Sequence, residues 1–259
     1  VQKVLAFFLA MQAVASQLEA RGHRVLHLDL DDTAGFEDLP ALLSHLLEQS
    51  GAESFEYQRP DEFRLMQQLS RFCDSLELPS ACCGTEHFLI TFDALEDVFP
   101  TDKKQRMEHF YRRIRRDSGW LMDEDGEPVG GQWNYDVENR KSLPADIELP
   151  VPLLFENNAA QASERLQRHD IETLGSIAND TLSWPVTREQ CEQLLEYFTD
   201  KLLPCFGDYQ DALTDRDWAL FHSRLSFAMN AKLLSPKEVV EAVLEAWASD
   251  KDAYPLSSV

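Results

Sequence analysis

The sequence predicts an α/β unit followed by an all-α unit, and three observations carry that reading. Helical and strand-like patterns alternate from Val1 to about Ile90, helical patterns alone return after Thr187, and a stretch dense in glycine, proline and charge separates them. Alternating helices and strands imply a partial doubly wound, mostly parallel sheet, because parallel strands need crossover connections. The expected division is 1–100 for the α/β unit, 101–150 for a basic helix and an irregular connector, and 151–259 for the helical unit.

The elements follow in order. Val1 to Ala15 (VQKVLAFFLAMQAVA) is apolar but interrupted by Gln2, Lys3 and Gln12. It is shorter than the ~20 apolar residues of a membrane span and has no convincing cleavage site, so a buried amphipathic helix is expected, ending near Arg21-Gly22. Arg24 to Leu30 alternates like a strand. A helix over Leu39 to Gln49 precedes a strand at Ser54 to Tyr57, and one over Glu62 to Leu76 precedes a strand at His87 to Thr91. No strand-to-helix turn carries a glycine-rich phosphate fingerprint. Asp29, Asp31 and Asp32 follow the first strand, where either a solvated acidic loop or a Mg²⁺ site is open.

Lys103 to Arg116 (KKQRMEHFYRRIRR) reads as a helix with seven basic residues: Lys103, Lys104, Arg106, Arg112, Arg113, Arg115 and Arg116. Met107, Phe110, Tyr111 and Ile114 form its expected buried stripe. Its basic face is either solvated and paired with acidic neighbours or a local phosphate-attracting surface. The connector beyond it holds Gly126, Gly130-Gly131, Pro144, Pro150 and Pro152, yet also Trp133, Asn134, Tyr135, Asp136, Glu138, Asn139 and Arg140. Such residues anchor a loop or contact a ligand.

In the helical unit, Thr187 with Gln190 and Ser235-Pro236 with Glu238 read as capping boxes, opening helices through Phe198 and Trp247. Between them Trp218, Phe221, Leu225, Met229 and Leu233 fit one apolar stripe of a helix over Trp218 to Leu233. Ser223, Ser226 and Asn230 fall together beside that stripe. These residues are mediocre helix formers, so their grouping suggests that something polar is held there.

A formal charge of −22 opposes non-specific attraction to a phosphate backbone, so any nucleic-acid contact needs a local basic surface. Cys73, Cys82, Cys83, Cys191 and Cys205 form no CxxC pair or metal-ligand spacing, which predicts reduced thiols and a cytoplasmic setting. The histidines show no HExxH spacing, and no GxSxG elbow occurs.

The segment His222-Ser223-Arg224-Leu225-Ser226, with Asn230 and Leu234-Ser235-Pro236, resembles the flavin-phosphate helix of the cryptochrome/photolyase family. Gly130 to Asp136, Glu138-Asn139-Arg140 and Phe206 to Ala212 resemble its iron–sulfur bacterial branch, deoxyribodipyrimidine photolyase-related proteins. The likeness covers nearly the whole chain. It implies a helical FAD-binding domain after the α/β domain, with Ser223 and Ser226 on the FAD diphosphate, Asn230 as a further polar partner and Leu225 packed beneath. His222 and Tyr209 are nominated beside them, each also fitting a packing role, while Arg224 is expected at the surface or in a salt bridge.

The resemblance further implies a fragment: the chain opens inside a helix without methionine, the α/β domain lacks its first strand, and Tyr254 to Val259 matches sequence that precedes the rest of the flavin site. For the parent it implies a lyase that repairs UV-damaged DNA, most specifically (6-4) photoproducts, by blue-light-driven electron transfer from reduced FAD. A lumazine-type antenna chromophore and a 4Fe–4S cluster are implied in the parent, with no metal ligand and no catalytic residue in this chain. A blue-light receptor without repair activity and a cofactor-free scaffold are the alternatives. No membrane association is expected.

Overall fold

The first apolar run forms α1 (Gln2–Ala20), which buries Leu5, Ala6, Ala10 and Ala15 and ends where Gly22 takes a left-handed backbone. It docks on α7 (Ala160–Arg168) and the short antiparallel pair β3 (Asn157–Asn158) and β4 (Thr181–Leu182). Leu5 and Ala6 share one core there with Ala159, Ala162, Leu166, Leu182 and Val186. The computed structural model describes residues 1–99 and 106–259. Among them no helix is long and apolar enough to cross a membrane.

The expected strand at Arg24 to Leu30 does not form: no described strand pairs with it. Alternation supplies only a side-chain pattern, and a strand also needs a neighbour for its N–H and C=O groups. Its end instead opens α2 (Leu30–Thr33), because Asp29 accepts from the Asp31 and Asp32 amides while the Asp32 carboxylate takes the Asp29 N–H. Next, α3 (Leu39–Ser50) is capped by Asp38 and closed by Gly51 in the left-handed region.

Among the described residues one parallel pair is present, β1 (Phe55–Gln58) with β2 (Ser80–Cys83), in the register Phe55 to Ser80 and Gln58 to Cys83. The crossover carries α4 (Phe63–Ser75), whose Phe72 meets Phe55 edge-on at 5.7 Å. The second strand of the expected pair thus lies at Ser80–Cys83 rather than at His87 to Thr91, which forms bends followed by α5 (Leu95–Val98). Apolar β-formers misled here, because Phe88 packs edge-on against Phe92, whose ring also lies under Arg59, and neither contact needs a ladder.

The basic helix is α6 (Met107–Ser118), closed by Gly119 at φ +73. Lys103 and Lys104 lie outside the described residues. Its expected stripe is corrected: Met107 is 68% exposed and Tyr111 43%, whereas Arg115 is only 7% exposed. A tight turn at Val129–Gly131 follows.

The larger core gathers α8 (Arg188–Tyr197), a π-helical turn at Phe198–Leu202 and α9 (Leu203–Tyr209), together with Phe221, Leu225, Ala228, Leu233 and Leu234. Thr187 caps α8 by accepting from the Gln190 amide at 3.1 Å. The expected reciprocal bond is displaced by one residue, since Gln190 Oε1 accepts from Val186 N at 2.9 Å. Beyond it lie α10 (Ser226–Asn230), α11 (Pro236–Ser249) and a final turn at Leu256–Ser258. The capping box of Ser235 and Glu238 forms as expected, with Pro236 at the first helical position.

Candidate functional site

The polar group nominated by the sequence does not sit on one long helix. Leu220 and Arg224 take positive φ angles of 46° and 55°, which break the expected Trp218–Leu233 helix and leave only α10. Phe221 and Leu225 still reach the core, so the apolar spacing is satisfied by a folded loop rather than by helical turns. Trp218 is left 61% exposed. Arg224, expected at the surface, turns inward and donates to Leu153 O at 2.6 Å.

This arrangement puts Ser223 in the loop just ahead of α10 and Ser226 at its first residue. Leu225, at the cap position, offers no side-chain acceptor, so the first N–H groups of α10 are left for another partner. Asn230 joins Ser226 one turn on, its Nδ2 donating to Ser226 O at 2.8 Å, and both residues are exposed. Leu225 is fully buried beneath them. His222 is half-buried, and Tyr209 packs its ring against Phe221 at 5.5 Å. The set therefore offers neutral hydroxyl and amide donors on a rigid apolar base, a donor chemistry that fits a diphosphate.

A second assembly joins the other motif segments. Asn134, Tyr135, Asp136 and Asn139 of the connector line one cleft of about 550 Å³ with Phe206 of α9 and its C-cap residue Gln210, Arg115 of α6 and the closing turn at Leu256–Ser258. Two glycines permit the approach: a Cβ on Gly130 would collide with the Tyr135 hydroxyl and Leu256, and one on Gly207 with the Ser257 backbone. The Gly207 amide donates to Ser258 Oγ at 2.9 Å. In the same cleft the buried Oδ1 of Asn139 has no hydrogen-bond partner among the described residues.

Arginines hold the connector in place. Arg115 donates to Trp120 O, Leu121 O and Trp133 O at 3.3, 2.6 and 3.2 Å. Arg216 donates to Pro144 O, Ala145 O and Ile147 O at 2.7, 3.0 and 2.7 Å. Lys141 adds an ion pair to Asp208 of α9 at 2.7 Å, which pushes the lysine pKa upward. Carbonyls that no ladder can satisfy are thus met by guanidinium forks.

A family model described as deoxyribodipyrimidine photo-lyase-related protein matches residues 1–182. The chain belongs to that family. The match runs from α1 through β4, and so takes in the connector motifs but not the Ser223 to Asn230 segment. The chain is also 28% identical over 264 aligned residues to a (6-4) photolyase of Agrobacterium fabrum (strain C58 / ATCC 33970), an alignment covering 100% of the chain and 50% of that protein. It thus spans about half the length of this curated relative.

Within this photolyase-related chain the three early aspartates have a definite place that the sequence reading missed. Asp31 lies 2.7 Å from His169 Nε2 and accepts from Arg168 at 2.7 Å and Arg165 at 3.2 Å, while Arg165 also pairs with Asp29 at 2.6 Å. His169 foremost, then the arginines, hold the Asp31 carboxyl down at about 2. The aspartates lie more than a hundred residues from Arg165, Arg168 and His169, so only the basic last turn of α7 hinted at the contact. The cluster borders a cleft of about 640 Å³ between α1, α2 and α7, lined by Phe8, Gln12, His27, Leu30 and Gln161. The described residues hold no group of three or more His, Cys, Asp or Glu side chains placed to bind a metal ion.

Proposed function

We propose that the full-length photolyase-related protein to which this chain belongs is an FAD-dependent lyase that repairs (6-4) photoproducts in UV-damaged DNA under blue light. The observation that carries this reading is the alignment of the whole chain with a (6-4) photolyase. The same reading makes 1–100 the α/β domain, 101–150 the connector and 151–259 the first part of the FAD domain, in a cytoplasmic enzyme. A lumazine-type antenna and a 4Fe–4S cluster belong to it as further groups of the parent.

The donor set ahead of α10 supports the flavin part of the proposal. Ser223 and Ser226 would hold the FAD diphosphate, with Asn230 as a neighbouring polar group and Leu225 fixing the loop from below. Tyr209 and His222 would border the same end of the cofactor. When bound, reduced FAD supplies an excited-state electron to the lesion and recovers it after bond cleavage. The chain's own contribution is to bind and orient the phosphates through neutral donors; in this reading it supplies no catalytic residue.

The test uses the full-length protein, purified with its flavin, and a duplex carrying one (6-4) lesion. Light-dependent loss of the lesion is expected, with no loss in the dark. Ser226→Ala combined with Asn230→Ala should lower flavin content after purification while the fold, read by circular dichroism, is kept. Unchanged lesion levels under light would remove the repair reading. Unchanged flavin content in the double variant would remove these residues from the site.

A further inference from the structure

Five arginines and two carboxylates fall between Arg106 and Ser118 in a chain whose formal charge is −22. The structure divides those arginines by what they touch. Arg115 faces inward and is consumed by connector carbonyls. At about 100° per residue, His109, Arg112, Arg113 and Arg116 share one arc of α6 on another side of the helix, and Arg106 is the N-cap residue just ahead of it. Arg112 is held by Glu108, and Arg113 makes two long 3.4 Å contacts, to the Asp117 carboxylate and to Asp97 O, and remains about half exposed. Arg106 and Arg116 are exposed and have no carboxylate partner among the described residues.

Arg116 is also positioned. Its guanidinium lies over the Trp133 ring at 4.6 Å, and Arg112 and Arg115 lie 5.1 and 5.3 Å from the same ring. Stacking on an indole restricts the side chain without using its hydrogen-bond donors, so the charge stays available to an outside acceptor. Acidity elsewhere suppresses general attraction to a polyanion, which makes a local, pre-oriented row of guanidinium groups selective in place. Arg106 and Arg116 stand ten residues apart, about 15 Å along the helix at 1.5 Å per residue, a length that spans several backbone phosphates of a duplex.

We infer that Arg113 and Arg116 of α6, with the N-cap Arg106, form a docking surface for the phosphate backbone of duplex DNA, independent of base sequence and of the lesion. The inference rests on the DNA-directed reading above and adds where the undamaged part of the duplex is held. Phosphate contacts of this kind position the protein and carry no sequence information.

The experiment measures binding of the flavin-loaded full-length protein to a short undamaged duplex between about 50 and 200 mM salt. The variants are Arg113→Gln with Arg116→Gln, Arg106→Gln, and Arg113→Lys with Arg116→Lys. Each lost contact should shallow the slope of log affinity against log salt by about 0.9, and the lysine pair should restore it. Arg64→Gln, on an exposed arginine of α4, should leave the slope unchanged. Affinity for a (6-4) duplex should fall by the same factor as for the undamaged one. A slope that all three α6 variants share with the parent protein, or a parent protein that binds no duplex, overturns the surface. Wild-type repair of the lesion in light with an unchanged slope sinks the surface and leaves the repair reading standing. Absent repair with a shallower slope in the variants does the reverse.

Discussion

The Arg115 guanidinium donates to three connector carbonyls and to the Tyr111 hydroxyl, so Arg115→Met would strand several acceptors at once. Loss of about 3 kcal/mol in urea unfolding is expected, since a stranded buried acceptor costs ~1–3 kcal/mol. Arg115→Lys should recover little of it, because an ammonium cannot reproduce the planar fork. Asp31 gives a pH signature. Its folded pKa of about 2 lies below the ordinary 3.8, so between those values the unfolded chain binds more protons. The stabilisation is whole above about pH 4 and is lost as pH falls toward 2. Asp31→Asn should therefore flatten the acid limb of the stability curve across that window; parallel limbs in the two proteins would refute the contact.

Among the elements, the caps were legible and the long helix was not. A capping box is written in four consecutive residues, and Ser235 and Glu238 meet as their spacing requires, at 2.7 and 3.2 Å. Ser235→Ala should cost about 1 kcal/mol, read as a lower midpoint in thermal or urea unfolding of α11. Trp218 to Leu233 shows the opposite case. Its apolar spacing fits a helix, but burial of Phe221 and Leu225 is also achieved by a loop that accepts two left-handed residues and draws Arg224 onto Leu153 O. Arg24 to Leu30 failed for a different reason: alternation names a strand's faces and not its neighbour.

For the whole molecule, the five thiols distinguish surface from core. Cys191 is fully buried and its thiol is pushed up to about 12 by desolvation, whereas Cys82 and Cys83 are exposed on β2. A thiol reagent should modify Cys82 and Cys83 in the native protein and reach Cys191 only at the rate of global opening. Native-state labelling of Cys191 at the rate of the exposed pair would contradict the core as described. The positions of α1, α3, α4, α8 and α11, the acidic charge and the motif segments were fixed locally, because each depends on neighbours within a few residues. The family likeness was legible for the same reason, in short runs such as Gly130 to Asp136. Only the tertiary structure decided that α1 packs on α7, that Arg115, Arg216 and Arg224 bind carbonyls instead of water or carboxylates, and that Asp31 meets Arg165, Arg168 and His169. Those outcomes join residues from six to more than a hundred positions apart, and a guanidinium's partner is set by which unsatisfied acceptor the folded chain brings within hydrogen-bond reach.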